Sequence, residues 1–165
     1  MPKYRTISVG VLLVAAAALA LGGCSDDASD ASGSSGASGA ANPIERKILA
    51  QDEPTNAPGQ TLYLEEVTIA PGAELPEHFH DGTQIAAVRS GVLTYDIASG
   101  SARVVRADGS VETVSGPTEI ELDPGDSLTE VRSLVHHGAN RGDVPVVISV
   151  AAILKDGAGL ATPVP

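Results

Sequence analysis

The residues best suited to chemistry are the chain's four histidines, and they are unevenly placed. His78 and His80 stand two apart in PGAELPEHFHDGTQ (71–84), while His136 and His137 are adjacent. Side chains two apart on an extended strand point to the same face. His78 and His80 therefore aim together, as two ligands of one metal ion must, and Phe79 between them points away into packing. Asp81-Gly82 can turn the chain and return Gln84 at the start of the next strand. His136 and His137 follow a separate strand signal, LTEVR (128–132). On an extended segment they face opposite ways, so only one of them can join a site with the first pair. A bare His-x-His pair is more often two exposed loop residues than a metal site, so the surrounding elements must decide.

Those elements read as strands. Apolar residues make up 42% of the chain but aromatics only 2%, with no Trp, so the core is built from Val, Ile, Leu and Ala. With 18 Gly and 11 Pro, this composition suits many short strands and tight turns. TLYLEEVTIA (61–70) is rich in strand formers, and the interruption at Glu65-Glu66 predicts a bulge there. TQIAAVRS (83–90) and VLTYDIA (92–98) flank Gly91. RVVRADGSVETV (103–114) is a hairpin turning at Asp108-Gly109. TEIELDPGD (118–126) alternates, then breaks at Pro124-Gly125, and VPVVISVAAIL (144–154) predicts a strand buried on both faces. The only helix-period segment is a short one at 44–51. The expectation is one all-β domain over 44–165, a sandwich or barrel.

The segment before it has a different character. MPKYR carries Lys3 and Arg5, and an uncharged apolar run then extends from Thr6 to Gly23, ahead of the only cysteine. A basic start and an apolar run read as an export signal. LGGC (21–24) resembles a bacterial lipobox, which implies cleavage after residue 23, lipidation of Cys24 and attachment to the outer face of the cell membrane. With its one cysteine lipidated, the mature chain has no disulfide. Residues 24–43 are mostly Ser, Gly, Ala and Asp and cannot bury enough surface to fold. They read as a flexible tether of about 25 Å root-mean-square reach. Loss of residues 1–23 removes Lys3 and Arg5 and no acid, moving the formal charge from −11 to −13. Such a charge disfavours nucleic acid or an anionic membrane surface as a partner of the folded domain.

Gly72, His78, His80, Gln84 and Gly91 have a spacing similar to the first motif of the cupin superfamily, G-x5-H-x-H-x3–4-E-x6-G. Gly125, His136 and Asn140 fall on the Gly, His and Asn of the second motif, G-x5-P-x-G-x2-H-x3-N, with Val131 in place of the Pro and Ser133 in place of the second Gly. The resemblance covers residues 60–155 and implies a small jelly-roll barrel. It implies metal binding by His78, His80 and His136, with Gln84 at the position of the usual glutamate, and leaves His137 outside the ligand set. A divalent transition metal (Fe, Mn, Ni, Zn or Cu) suits such a donor set.

Gln84 is the departure with consequences. An amide offers a neutral oxygen and cannot accept a proton at ordinary pH, so the metal keeps its positive charge and the usual base is missing. Glu77 or Asp81 are the nearby acids that can stand in. The pattern is compatible with a metal-dependent dioxygenase-like enzyme acting on a small anionic or chelating compound. It is compatible also with a non-enzymatic protein that binds a small ligand or metal chelate, and with a metal-free cupin of structural role. Tyr63 and Tyr95 are the main residues that could stack on a flat substrate. The expected state is a monomer or homodimer.

Overall fold

The computed structural model describes residues 43–164. The export signal, Cys24 and the tether up to residue 42 lie outside the described residues. Twelve strands and no helix are found among the described residues: β1 (Ile44–Asp52), β2 (Gln60–Ile69), β3 (His78–Phe79), β4 (Gly82–Ser90), β5 (Leu93–Ser99), β6 (Ser101–Val105), β7 (Val111–Ser115), β8 (Thr118–Leu122), β9 (Ser127–Val131), β10 (Val135–Ala139), β11 (Val146–Lys155) and β12 (Thr162–Pro163).

They form two antiparallel sheets, one of seven strands in the order β1-β2-β11-β4-β9-β6-β7 and one of five in the order β12-β3-β10-β5-β8. From β2 onward the chain crosses from one sheet to the other at nearly every connection. The β6–β7 hairpin is the exception, and it turns at Asp108-Gly109 as expected. This crossing pattern is that of a jelly roll. It follows from strands that alternate apolar and polar residues and so have one face to bury. β11 turns Val146, Ile148, Val150, Ala152 and Leu154 inward; Ile69, Ile97, Leu122, Leu128 and Leu134 complete the fully buried aliphatic packing. Each of these Val, Leu and Ile side chains contributes about 1.5–3 kcal/mol on burial.

Three expectations are corrected. Residues 44–51 form an edge strand, not a helix. An isolated helix of that length is marginal in water, whereas here the segment gains a ladder along β2 from Leu62 to Ile69. The irregularity expected at Glu65-Glu66 lies instead in β1, between Ile48 and Ala50. Glu65 keeps the inward parity of Val67 and Ile69 and is fully buried, its carboxylate held by Arg46 of β1 at 3.3 Å. β11 is buried on one face only: Ala151 is exposed and its same-face neighbours are half-buried.

Two local features set the strands that carry the site. Gly91 turns the chain between β4 and β5 with φ of +71°, and a Cβ there would meet the Pro145 carbonyl oxygen at 2.7 Å, so no other residue fits. Ahead of β9, the buried Asp126 accepts hydrogen bonds from Arg106 Nη1 and the Ala107 amide, both at 2.8 Å, and from the Asp123 amide at 3.1 Å. It thus ties the β6–β7 hairpin to the β8–β9 turn. Burial raises the Asp126 carboxyl pKa, but the Arg106 hydrogen bond and the two amides outweigh it and hold it below the usual value.

Asp126→Ala is expected to destabilise the domain by about 1.5–3 kcal/mol, measured by urea unfolding near neutral pH. Because the folded-state pKa is depressed, this contribution is fully present above the unfolded-state pKa and is lost as pH falls through the folded-state value. The gap between variant and wild type should therefore narrow in acid. A gap that does not change with pH would contradict the role given to the carboxylate.

Candidate metal centre

The site is assembled from both sheets. In the five-stranded sheet, β3 and β10 pair with His78 opposite His136. His80 follows β3 on the same face as His78, while Phe79 takes the other side and is only partly buried. His78, His80 and His136 are 3%, 1% and 3% exposed, and their ligand nitrogens all lie within 4.8 Å of one another. In the seven-stranded sheet, β4 and β9 pair with Gln84 directly opposite Glu130, and both side chains are buried.

The rings are held by backbone carbonyls. His78 Nδ1 lies 2.7 Å from the Pro76 oxygen and His80 Nδ1 lies 2.6 Å from the Leu160 oxygen. A carbonyl only accepts, so each Nδ1 carries a proton and donates it, and in the neutral ring Nε2 then keeps the free lone pair. This is the orientation that metal-binding histidines require. Leu160 precedes β12, whose Thr162 and Pro163 pair with Phe79 and His78. The C-terminal segment thereby fixes two of the three imidazoles. The third, His136, is stacked on Tyr95, with ring centroids 5.1 Å apart and planes at 23°.

Glu130 occupies the centre of this arrangement. Its Oε1 accepts a hydrogen bond from the Tyr95 hydroxyl at 2.8 Å and its Oε2 accepts one from Gln84 Nε2. His80 Nε2 stands 3.2 Å from Oε2 and His136 Nε2 stands 3.3 Å from Oε1. The His80 nitrogen is near the carboxylate but off the line of a hydrogen bond, and it has no hydrogen-bond partner. Burial pushes the Glu130 carboxyl up, but His80, His136 and the Tyr95 hydroxyl outweigh it and hold it at about 2. Burial, then the nearby His136, lowers His78 to about 4, and burial also lowers His136. Burial and the Glu130 charge raise Tyr95 well above its usual value. Near neutral pH, then, His78 and His136 are neutral, Glu130 is anionic and Tyr95 keeps its proton. Neutral imidazole and ionised carboxylate are the forms that bind a metal.

The donor set fits a divalent transition metal. Buried polar atoms normally find partners, yet His80 Nε2, His136 Nδ1 and Gln84 Oε1 have none. A cavity of about 40 Å³ is walled by His78, Gln84, Tyr95, Glu130 and His136 amid aliphatic side chains, and His80 stands with the other two histidines without lining it. Arg46 also reaches its wall but is paired with Glu65.

The structure thus brings His78, His80 and His136 into one cluster, with His78, His136 and Gln84 lining one cavity, and Gln84 contacts the Glu130 carboxylate there. His137 faces the other way, with Nε2 3.2 Å from the Glu74 carboxylate. Asn140 is buried as a structural residue: its Nδ2 donates to the Ile69 and Val144 carbonyls and its Oδ1 accepts from the Gly142 amide. Asp81 pairs with Arg132 at 2.8 Å, and neither Asp81 nor Glu77 lines the cavity. Tyr95 lines it and Tyr63 does not. Glu130 is the residue that sequence reasoning passed over. Its signal was parity: in SLTEV it shares the inward face with Leu128.

No family model matches the chain, and no match is found among the curated proteins. Solved structures similar to it include a cupin superfamily protein from Desulfitobacterium hafniense DCB-2, with 15% identity and a TM-score of 0.49 over 69% of this chain and 80% of that one. KdgF from Halomonas sp. has 20% identity and a TM-score of 0.47 over 67% of this chain and 80% of that one. Oxalate oxidase in complex with the substrate analogue glycolate has 19% identity and a TM-score of 0.49 over 77% of this chain and 63% of that one.

Purified protein is expected to carry about one transition metal per chain, with four or more N and O donors. His80→Ala and His136→Ala should each bring the metal content, read by elemental analysis, close to zero. Full retention in both folded variants would reject the three-histidine site.

Proposed function

We propose that this chain is an exported, lipid-anchored protein whose β-sandwich holds a divalent transition metal and acts on a small anionic or chelating compound in dioxygenase-like chemistry. The observation that carries the metal reading is the convergence of three buried imidazoles, two of them with Nδ1 bonded to a backbone carbonyl so that Nε2 is free. His78, His80 and His136 would be ligands, and the unpartnered Gln84 Oε1 offers a further neutral donor. A bound metal of this kind supplies Lewis acidity and, for Fe, Mn, Ni or Cu, access to redox chemistry with O2.

The chain's own residues restrict what can enter. The cavity's 40 Å³ is room for about one or two waters. That favours a small aliphatic acid over a flat aromatic compound, and Tyr95 is already committed to His136 and Glu130. Aliphatic walls lower the local dielectric, which strengthens attraction between an anion and the centre. Since Arg46 is neutralised by Glu65, that attraction would come from the metal site itself.

The same small volume favours a second reading, in which the protein binds a metal or a small acid without turnover. Oxygen uptake by the metal-loaded protein, screened with short carboxylic acids, separates the two. Uptake that disappears on chelation and in His136→Ala supports the enzyme. Saturable binding of an acid with no oxygen consumption, with any of the redox metals, supports the binding protein and rejects the dioxygenase.

The anchor has its own test. Cys24→Ala in the expressing bacterium should accumulate unprocessed precursor and lose the lipid-bearing form, followed by mass spectrometry. Normal processing would contradict lipid attachment at Cys24.

A further inference from the structure

We propose that Glu130, from β9, is the anionic ligand of the metal centre, taking over from across the strand ladder the charge that position 84 lacks, and that Gln84 positions it. This rests on the metal-binding reading above and adds to it a residue outside both histidine motifs.

The placement is set by register. Gln84 and Glu130 are direct cross-strand partners in β4 and β9, so both side chains enter the cavity from the same level of the same sheet. A carboxylate on either strand would reach the same centre. One on both would put two like charges in contact, which is costly in a buried site. The amide at 84 is the complementary choice: its Nε2 donates to Glu130 Oε2 and holds the carboxylate in place.

The contacts of Glu130 leave room for a metal. Each oxygen accepts one hydrogen bond, Oε1 from Tyr95 and Oε2 from Gln84, so each keeps a lone pair. Each oxygen also faces an imidazole Nε2, at 3.2 Å for His80 and 3.3 Å for His136. Two donors held about 2.1 Å from one ion at right angles stand about 3 Å apart, close to those separations. His78 joins the imidazole cluster from the paired strand.

Charge gives an independent reason. A buried carboxylate is expensive unless a cation compensates it. The hydrogen-bond donors to Glu130 are a phenol and an amide, both neutral, and the guanidinium on the cavity wall is tied to Glu65; the other groups at the carboxylate that can carry positive charge are His80 and His136, the proposed metal ligands themselves. A dication held by three neutral imidazoles and Glu130 leaves one net positive charge, enough to attract a small anion.

The test uses purified protein stripped with chelator and titrated calorimetrically with Zn(II) and Mn(II), comparing wild type, Glu130→Gln, Gln84→Glu and the exchanged pair Q84E/E130Q. Circular dichroism checks each fold. Glu130→Gln should weaken both metals by at least about tenfold. The exchanged pair, with one carboxylate and one amide restored, should recover most of that loss. Gln84→Glu alone should lower the melting temperature of the metal-free protein and regain it when metal is added. Wild-type binding with Glu130→Gln equally tight, or a folded exchanged pair that recovers nothing, would overturn the assignment while leaving metal binding intact. No binding by wild type would overturn the metal reading and the assignment together. Glu130→Gln is isosteric; should it nonetheless fail to fold, the exchanged pair decides the matter.

Discussion

A carboxylate and three imidazoles buried in an aliphatic core impose the constraint on which the rest of this structure depends. Polar groups placed there without compensation would destabilise a small domain that has few kilocalories to lose. The sandwich accommodates them by fixing each one. Pro76 and Leu160 carbonyls take the Nδ1 protons of His78 and His80, Tyr95 stacks on His136, and Tyr95 with Gln84 holds Glu130. The buried side-chain atoms left without a partner belong to His80, Gln84 and His136 of this same cluster. That combination of tight orientation and unfilled donors is the physical signature of a site built around a cation.

The fold supplies this geometry through pairings distant in sequence. β3 is only two residues long, yet it lies between β10 and the C-terminal β12. That sandwiching stops the His78–His80 segment from behaving as a loop. On the opposite sheet, the β4–β9 ladder brings residues 84 and 130 face to face. Asp126 and its three donors set the turn from which β9 starts, so a salt bridge well outside the cavity helps determine where Glu130 stands. The two sheets therefore contribute unlike halves: imidazoles from one, amide and carboxylate from the other.

Much of this was legible in the chain. Strand parity put His78 and His80 on one face and separated His136 from His137, and the motif spacing joined the distant histidines. The Asp108-Gly109 hairpin followed from local turn chemistry. What escaped was non-local. Residues 44–51 carry a helix-compatible pattern, and only the edge of β2 makes them a strand. Glu65 was legible only as an interruption in a strand and Glu130 only as one residue of LTEVR, whereas each sits at an inward parity and finds its partner on another strand: Arg46 for the first, Tyr95 and Gln84 for the second. The role of Leu160 rests on a backbone carbonyl, and a carbonyl leaves no mark in residue type.

The amide at position 84 first suggested a centre without a negative ligand. With Glu130 opposite, the amide and the carboxylate read as one unit divided between two strands, and the charge balance of the site changes accordingly. Anomalous diffraction from crystals of the metal-loaded protein, collected on either side of the metal's absorption edge, tests this most directly. The account predicts a single strong peak within bonding distance of His78, His80 and His136 Nε2 and of a Glu130 oxygen. A peak bound elsewhere, such as at His137, or one coordinated by the histidines with Glu130 turned away, would contradict it.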